Sequence, residues 1–214
     1  MTLGLDPGST TTLVLLRHGE TALTPGKRLS GSGGSDPALS ETGSRQAEAT
    51  AARLAADGTV RAVASSPLRR CRETAAAAAN RLGLPVEIDD DLREADFGVW
   101  EGLTFAEVRA RYPEEMAAWL RSPAAVPGET GEPFEAVTRR VESARDRLLT
   151  RYSGSTVLVV SHVAPLRTLI RLALGAPPES LFRMELSAAS LSTVVYPSAG
   201  DASVRFLNDT SHLR

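Results

Sequence analysis

The sequence predicts an α/β fold: a three-layer sandwich whose mostly parallel central sheet, with one antiparallel strand, carries helices on both faces. Three observations lead there. Runs such as Leu13-Val14-Leu15-Leu16 and Val157-Leu158-Val159-Val160 are too short for free-standing helices and continuous enough for strands buried on both sides. Between the runs lie alanine-rich stretches with apolar residues at helical spacing, an alternation that builds a parallel sheet covered on both faces. Near the C-terminus two strand-like runs follow each other across a turn, which supplies the antiparallel strand.

Taken in order, residues 1–11 have the composition of a flexible linker, with no positive charge and no long apolar stretch, so they read as a linker and not as a signal peptide. A single domain is expected over 12–209, with 210–214 as a polar tail. The first strand delivers Arg17 and His18, and Pro25 to Pro37 is a loop that brings Lys27 and Arg28 nearby. Ser40 caps a helix to about Asp57, with Ala47, Ala51, Leu54 and Ala55 on one face. Val60 to Ser65 is the second strand. In the helix after it Cys71, Thr74, Ala75, Ala78 and Leu82 form one stripe, so Cys71 reads as a small core residue.

Gly83-Leu84-Pro85 ends that helix, and Val86 to Ile88 is a short strand leading to Asp89-Asp90-Asp91, a solvated turn whose spacing alone leaves a metal role open. Leu92 to Gly102 is irregular and mixes carboxylates with aromatics. Thr104 and Glu107 form a capping box for a helix to about Tyr112, and Pro113 starts another that ends near Arg121. After a loop, a long helix runs from Pro133 to about Tyr152 and turns Phe134, Val137, Val141, Ala144 and Leu148 inward. The strand Thr156 to Val160 hands over to Ser161-His162, a helix spans Val163 to Leu174, and Ser190 to Tyr196 with Ala202 to Leu207 make a terminal hairpin.

Composition narrows the function. With 214 residues, 42% of them hydrophobic, the chain can bury one substantial core. A net charge of -2 provides no basic field, so nucleic acid is not expected as a direct ligand. One cysteine excludes an internal disulfide and, without a Cys/His cluster, argues against structural zinc; a reducing cytoplasm is expected. No stretch reaches the length of a membrane span.

The informative pattern is a recurrence. Three apolar strands end in residues suited to phosphate: Arg17-His18, Arg69-Arg70 and His162. In a parallel sheet these ends share one edge, where α/β sheets bind ligands. Gly19 after His18 allows a sharp turn and close approach of an anion, and an arginine offers two phosphate oxygens a planar fork of donors. An imidazole nitrogen is a competent nucleophile toward phosphorus, and the surrounding cations neutralise the equatorial oxygens without a metal or other cofactor. The leaving alcohol needs a proton, which a carboxylic acid in a partly dry pocket can supply. Glu94, Asp96 and Glu101 are nearly equal candidates, with Glu94 preferred for its company of Phe97 and Trp100. His212, in the tail, reads as exposed.

These residues resemble the histidine phosphatase superfamily, which includes the cofactor-dependent phosphoglycerate mutases. Leu15-Leu16-Arg17-His18-Gly19-Glu20-Thr21 looks like its signature, and Pro37 to Ala47, Ser66 to Ala75, Leu92 to Gly102 and Val160-Ser161-His162 are similar to further motifs. The resemblance puts the phosphate-binding arginine at Arg70 rather than Arg69 and the proton donor at Glu94. It implies attack by His18, with Arg17, Arg70 and His162 holding the phosphoryl group. Thr24, Gly31 and Val163 are expected at the substrate, although Thr24 stands where many members have asparagine and Val163 where they have glycine. The details look closest to α-ribazole phosphatase-like acid phosphatase domains that actinobacteria fuse to ribonuclease H. A small phosphorylated substrate, no membrane partner and a covalently fused ribonuclease H domain are therefore expected, with a phosphoglycerate mutase-type transferase as the alternative.

Overall fold

A computed structural model describes residues 10–214. The expected linker falls outside the described residues except at Thr10 and Thr11, which already belong to β1 (Thr10–Arg17). The other strands are β2 (Val60–Ser65), β3 (Val86–Ile88), β4 (Thr156–Ser161), β5 (Leu191–Pro197) and β6 (Ser203–Asp209). They form one six-stranded sheet in the order β3-β2-β4-β1-β5-β6. β3, β2, β4 and β1 pair in parallel, while β5 runs antiparallel to both β1 and β6, so β5 alone opposes the rest. This is the mixed sheet the alternating pattern predicts.

Period-two alternation sends each central strand into two cores. Leu13, Leu15, Val157 and Val159 face a core closed by α3 (Phe105–Arg111), α4 (Pro113–Arg121), α5 (Phe134–Arg151) and α6 (Val163–Ala173). Leu16, Leu158 and Val160 face the other, closed by α1 (Glu41–Asp57) and α2 (Arg69–Leu82). Central strands buried on both sides have no solvent face to pattern, which is why their runs are continuously apolar.

Helix boundaries follow local chemistry. The Ser40 hydroxyl accepts the Gly43 N–H at 3.0 Å, and Gly58 closes α1 in the left-handed conformation. The Thr104–Glu107 capping box opens α3. Asp89-Asp90-Asp91 is not an open turn: Arg147 reaches the carboxylates of Asp89 and Asp91, each at 2.8 Å. The expected polar tail is also ordered, since residues Ser211–Leu213 make a 3-10 turn against α1. His212 is half-buried rather than exposed, with Nε2 3.0 Å from Thr50 Oγ1 and 3.1 Å from the Ala189 carbonyl.

Candidate active site

The carboxyl ends of β2, β4 and β1 lie side by side because their registers pair Arg17 with Ser161 and Ser65 with Val160. The ladders continue one residue further, through His18 N–H to Ser161 and Ser66 N–H to Val160, both 3.0 Å. His18, Ser66 and His162 are thereby carried to one point. His18 is 6% exposed, and its Nδ1 lies 2.7 Å from the Gly19 carbonyl. A carbonyl only accepts, so Nδ1 carries the hydrogen and Nε2 keeps its lone pair. Burial, then the positive fields of Arg17 and Arg70, hold this imidazole well below its ordinary value. It is a neutral imidazole with one ring nitrogen free.

The loop bearing His18 is pinned by close backbone packing. A Cβ on Gly19 would stand 2.6 Å from the Gly43 carbonyl oxygen, and one on Gly43 would stand 2.0 Å from that of Glu20. Only glycines allow α1 to begin this near the nucleophile.

Two arginines flank His18. Arg17 Nη1 donates to the Leu186 carbonyl at 2.6 Å, and Arg70 Nη2 to that of Ser30 at 2.8 Å. Yet Arg17 Nε and both Nε and Nη1 of Arg70 are buried without a hydrogen-bond partner, Nη1 having only the half-exposed Asp36 carboxylate 3.6 Å away. Buried donors are rarely left unpaired, so this cluster is prepared for an anion. Arg69 is elsewhere: helical spacing turns it outward to Glu73 at 2.7 Å, while Arg70 faces in with Cys71 and Thr74.

His162 is fully buried and edge-on to His18, with ring centroids 5.1 Å apart. Its Nε2 lies 2.7 Å from Ser66 Oγ, and Cys71 Sγ is 3.3 Å from the same nitrogen. It stands behind His18 and is absent from the wall of the open cavity. Cys71 is a core residue whose thiol burial pushes up.

The carboxylates are sorted by their backbone partners. Glu94, 6% exposed, accepts the N–H of Val163 at 3.1 Å and of Ala164 at 3.2 Å, at the start of α6. Burial raises its pKa against the lowering effect of the Ala95 N–H and of Arg70. Asp96 instead caps the Gly98 N–H, and Glu101 accepts the Gly31 N–H at 3.0 and 2.9 Å. Gly31 is therefore not brought to the substrate; a Cβ there would lie 2.2 Å from the Ala95 carbonyl, so its role is close packing. Arg140 steadies the Glu94 segment by donating to the carbonyls of Asp91 and Arg93, both at 2.7 Å, while Glu132 holds its fork.

A cavity of about 730 Å³ opens over these groups. Thr24 and Val163 line it, as do Lys27 and Arg28, and the Thr24 hydroxyl accepts the Thr21 N–H at 3.0 Å. Its outer wall is aromatic: Phe97, Phe105, Trp119, Phe134 and Phe182, with Trp119 stacked on Phe134 at 4.9 Å. The segment from Leu181 to Leu186 and the side chain of Arg167 complete the rim; neither these nor Ser66 and Arg140 stand out in the sequence, because nothing local distinguishes them from packing or surface residues. Among the described residues, no group of three or more His, Cys, Asp or Glu side chains is placed to hold a metal ion, and no helix is long and apolar enough to cross a membrane.

A histidine with a free Nε2, buried arginine donors around it and a carboxyl of raised pKa on an α/β sheet edge define a phosphoryl-handling enzyme site. The chain belongs to the histidine phosphatase superfamily (branch 1), whose model matches residues 13–210. It is 50% identical over 206 residues to the bifunctional protein Rv2228c of Mycobacterium tuberculosis, covering 96% of this chain but 56% of that protein. The chain thus spans about half the length of this and two further curated mycobacterial relatives that it matches at 50% identity. Phosphoserine phosphatase 1 of Hydrogenobacter thermophilus is 33% identical over 201 residues, covering 94% of this chain and 93% of that one. The solved structure of the mycobacterial glucosyl-3-phosphoglycerate phosphatase Rv2419c superposes with a TM-score of 0.83 at 28% identity, over 94% of this chain and 100% of the other.

Proposed function

We propose that the chain is a metal-independent acid phosphatase that hydrolyses small phosphate monoesters through a phosphohistidine. The observation that carries this reading is the set of buried donors on Arg17 and Arg70 left without hydrogen-bond partners beside the neutral imidazole of His18. His18 Nε2 attacks phosphorus while the ester P–O bond breaks and Glu94 gives its proton to the departing oxygen. A water then attacks the phosphohistidine, passes its proton to Glu94, and the N–P bond breaks. His162 backs the nucleophile, and Thr24 and Val163 shape the entrance.

An acidic working range follows from the two opposed shifts. His18 stays neutral below the usual imidazole range, and Glu94 stays protonated above the usual carboxylic range. The cytoplasm suits such a chain, and the relative named bifunctional, of which this chain spans 56%, supports a phosphatase module joined to a ribonuclease H domain.

The test is phosphate release from an aryl phosphate between mildly acidic and neutral pH with a chelator present, for the native chain and His18→Ala. Release that survives the chelator and disappears in the variant is expected. Release without added bisphosphoglycerate also separates hydrolysis from the phosphoglycerate mutase alternative, and the absence of release by the native chain overturns the reading.

A further inference from the structure

The cavity carries more positive charge than a lone phosphoryl group needs. Its walls hold Arg17, Lys27, Arg28, Arg70, Arg167 and Arg183, against the carboxylates of Glu94 and Glu185. Arg17 and Arg70 face His18, and Arg28 is already paired with Glu107 at 3.1 Å. Lys27 and Arg183 are exposed to solvent, whereas Arg167 is half-buried. Among the described residues it makes no hydrogen bond and no ion pair, and its Nε is buried without a partner.

Such an arrangement is costly, because a half-buried guanidinium loses hydration and gains nothing in return. Its surroundings do little to compensate: Glu94 and Glu185 attract it through space, but neither comes within ion-pairing distance. Arg167 is instead one of the residues that line the open cavity.

Its location says what it faces. Arg167 is five residues beyond His162, in the second turn of α6, and helical side chains lean toward the N-terminus, here toward the reacting groups. The first turn of the same helix, through the Val163 and Ala164 N–H groups, holds Glu94. Of the carboxylates near Arg167, Glu94 exerts the larger attraction. If Glu94 protonates the departing oxygen, as the proposed function has it, Arg167 lies on the leaving-group side of a cavity that Phe105, Trp119 and Phe182 also line.

We infer that Arg167 is a specificity-determining residue that binds a second anionic group, a carboxylate or a further phosphate, on the organic part of the substrate. The preferred substrates are then phosphate monoesters of acidic alcohols, anchored at both ends of the cavity. This rests on the proposed phosphoryl site at His18.

The experiment uses two non-hydrolysable probes titrated calorimetrically into the whole chain: butylphosphonate and 4-phosphonobutyrate, which differ by a carboxylate. The native chain should bind the carboxylate-bearing probe about tenfold or more tightly, and Arg167→Gln should remove that preference. Because the readout is a ratio of two affinities on one preparation, a partly inactive sample does not distort it. Arg167→Glu should invert the preference toward 2-aminoethylphosphonate over ethylphosphonate. Equal binding of the two butyl probes by the native chain, or an unchanged preference in Arg167→Gln, overturns the assignment while leaving the phosphoryl site intact. Failure of every phosphonate to bind overturns both.

Discussion

Glu94 Oε2 accepts the backbone N–H of Val163 at 3.1 Å, so the carboxyl assigned to proton transfer is fastened to the first turn of α6, directly after His162. The helix terminus favours its charged form while burial favours its neutral form, and burial prevails. Glu94→Gln should therefore slow hydrolysis of alkyl phosphates by about 10²- to 10⁴-fold but of aryl phosphates far less, since aryl oxides leave without a proton. Parallel kcat/KM measurements on both esters check this; equal losses would remove Glu94 from that role.

His18→Ala should lower turnover by at least about 10³-fold. The fold should persist, because the ring follows the end of β1 and its side-chain hydrogen bond runs only to the adjacent Gly19 carbonyl. Circular dichroism should match the native chain, and rapid-quench trapping should find acid-labile phosphate on the native chain only.

Arg140→Ala should cost about 1–3 kcal/mol of stability, since it leaves the carbonyls of Asp91 and Arg93 unpaired and leaves the Glu132 carboxylate only Arg93 at 3.4 Å. A denaturant titration with unchanged slope reads it. Arg140→Lys keeps the charge but not the fork, and should recover only part of the loss.

Gly43→Ala should destabilise by about 1–3 kcal/mol, because the new methyl would meet the Glu20 carbonyl oxygen at 2.0 Å. The backbone shift needed to relieve that contact passes to Gly19 and His18, so kcat should fall with the melting temperature. A variant as stable and active as the native chain would contradict the packing described.

Stability should decline as pH falls from about 6.5 toward 5. His18, His162 and His212 all have folded pKa values below their unfolded ones, so the unfolded chain takes up protons first. Each such group removes up to about 1.4 kcal/mol per pH unit below about 6.5. Glu94, raised by burial, acts in the opposite direction and gains stability as pH falls, but it is one group against three. Urea midpoints at both ends of that range measure the sum, and a flat or rising profile would refute it.

Much of the architecture was legible because continuous apolar runs and helical stripes are local consequences of burial. β2 and β3 begin and end where the sequence places them, and the Ser40 and Thr104 caps open the helices foreseen for them. The site was legible at its strand ends and less so between them. Arg69 and Arg70 are chemically alike as neighbours, and their helix phase against Glu73 and Cys71 separates them. Gly31 looked like a substrate contact and is a packing glycine against Glu101, a pairing that joins two distant loops.

What the sequence determined by itself was therefore the strand and helix succession, the parallel sheet edge, and the residue types at each strand end. These depend on periodicity and on the chemistry of a few neighbouring side chains. The family resemblance already pointed to Glu94 where local chemistry left Asp96 and Glu101 open; tertiary structure alone decided that His162 stands behind His18 and that Arg140 and Arg167 matter. Each of those outcomes depends on which groups remain buried and unpaired once distant segments have taken their hydrogen bonds, and only the folded chain completes that distribution.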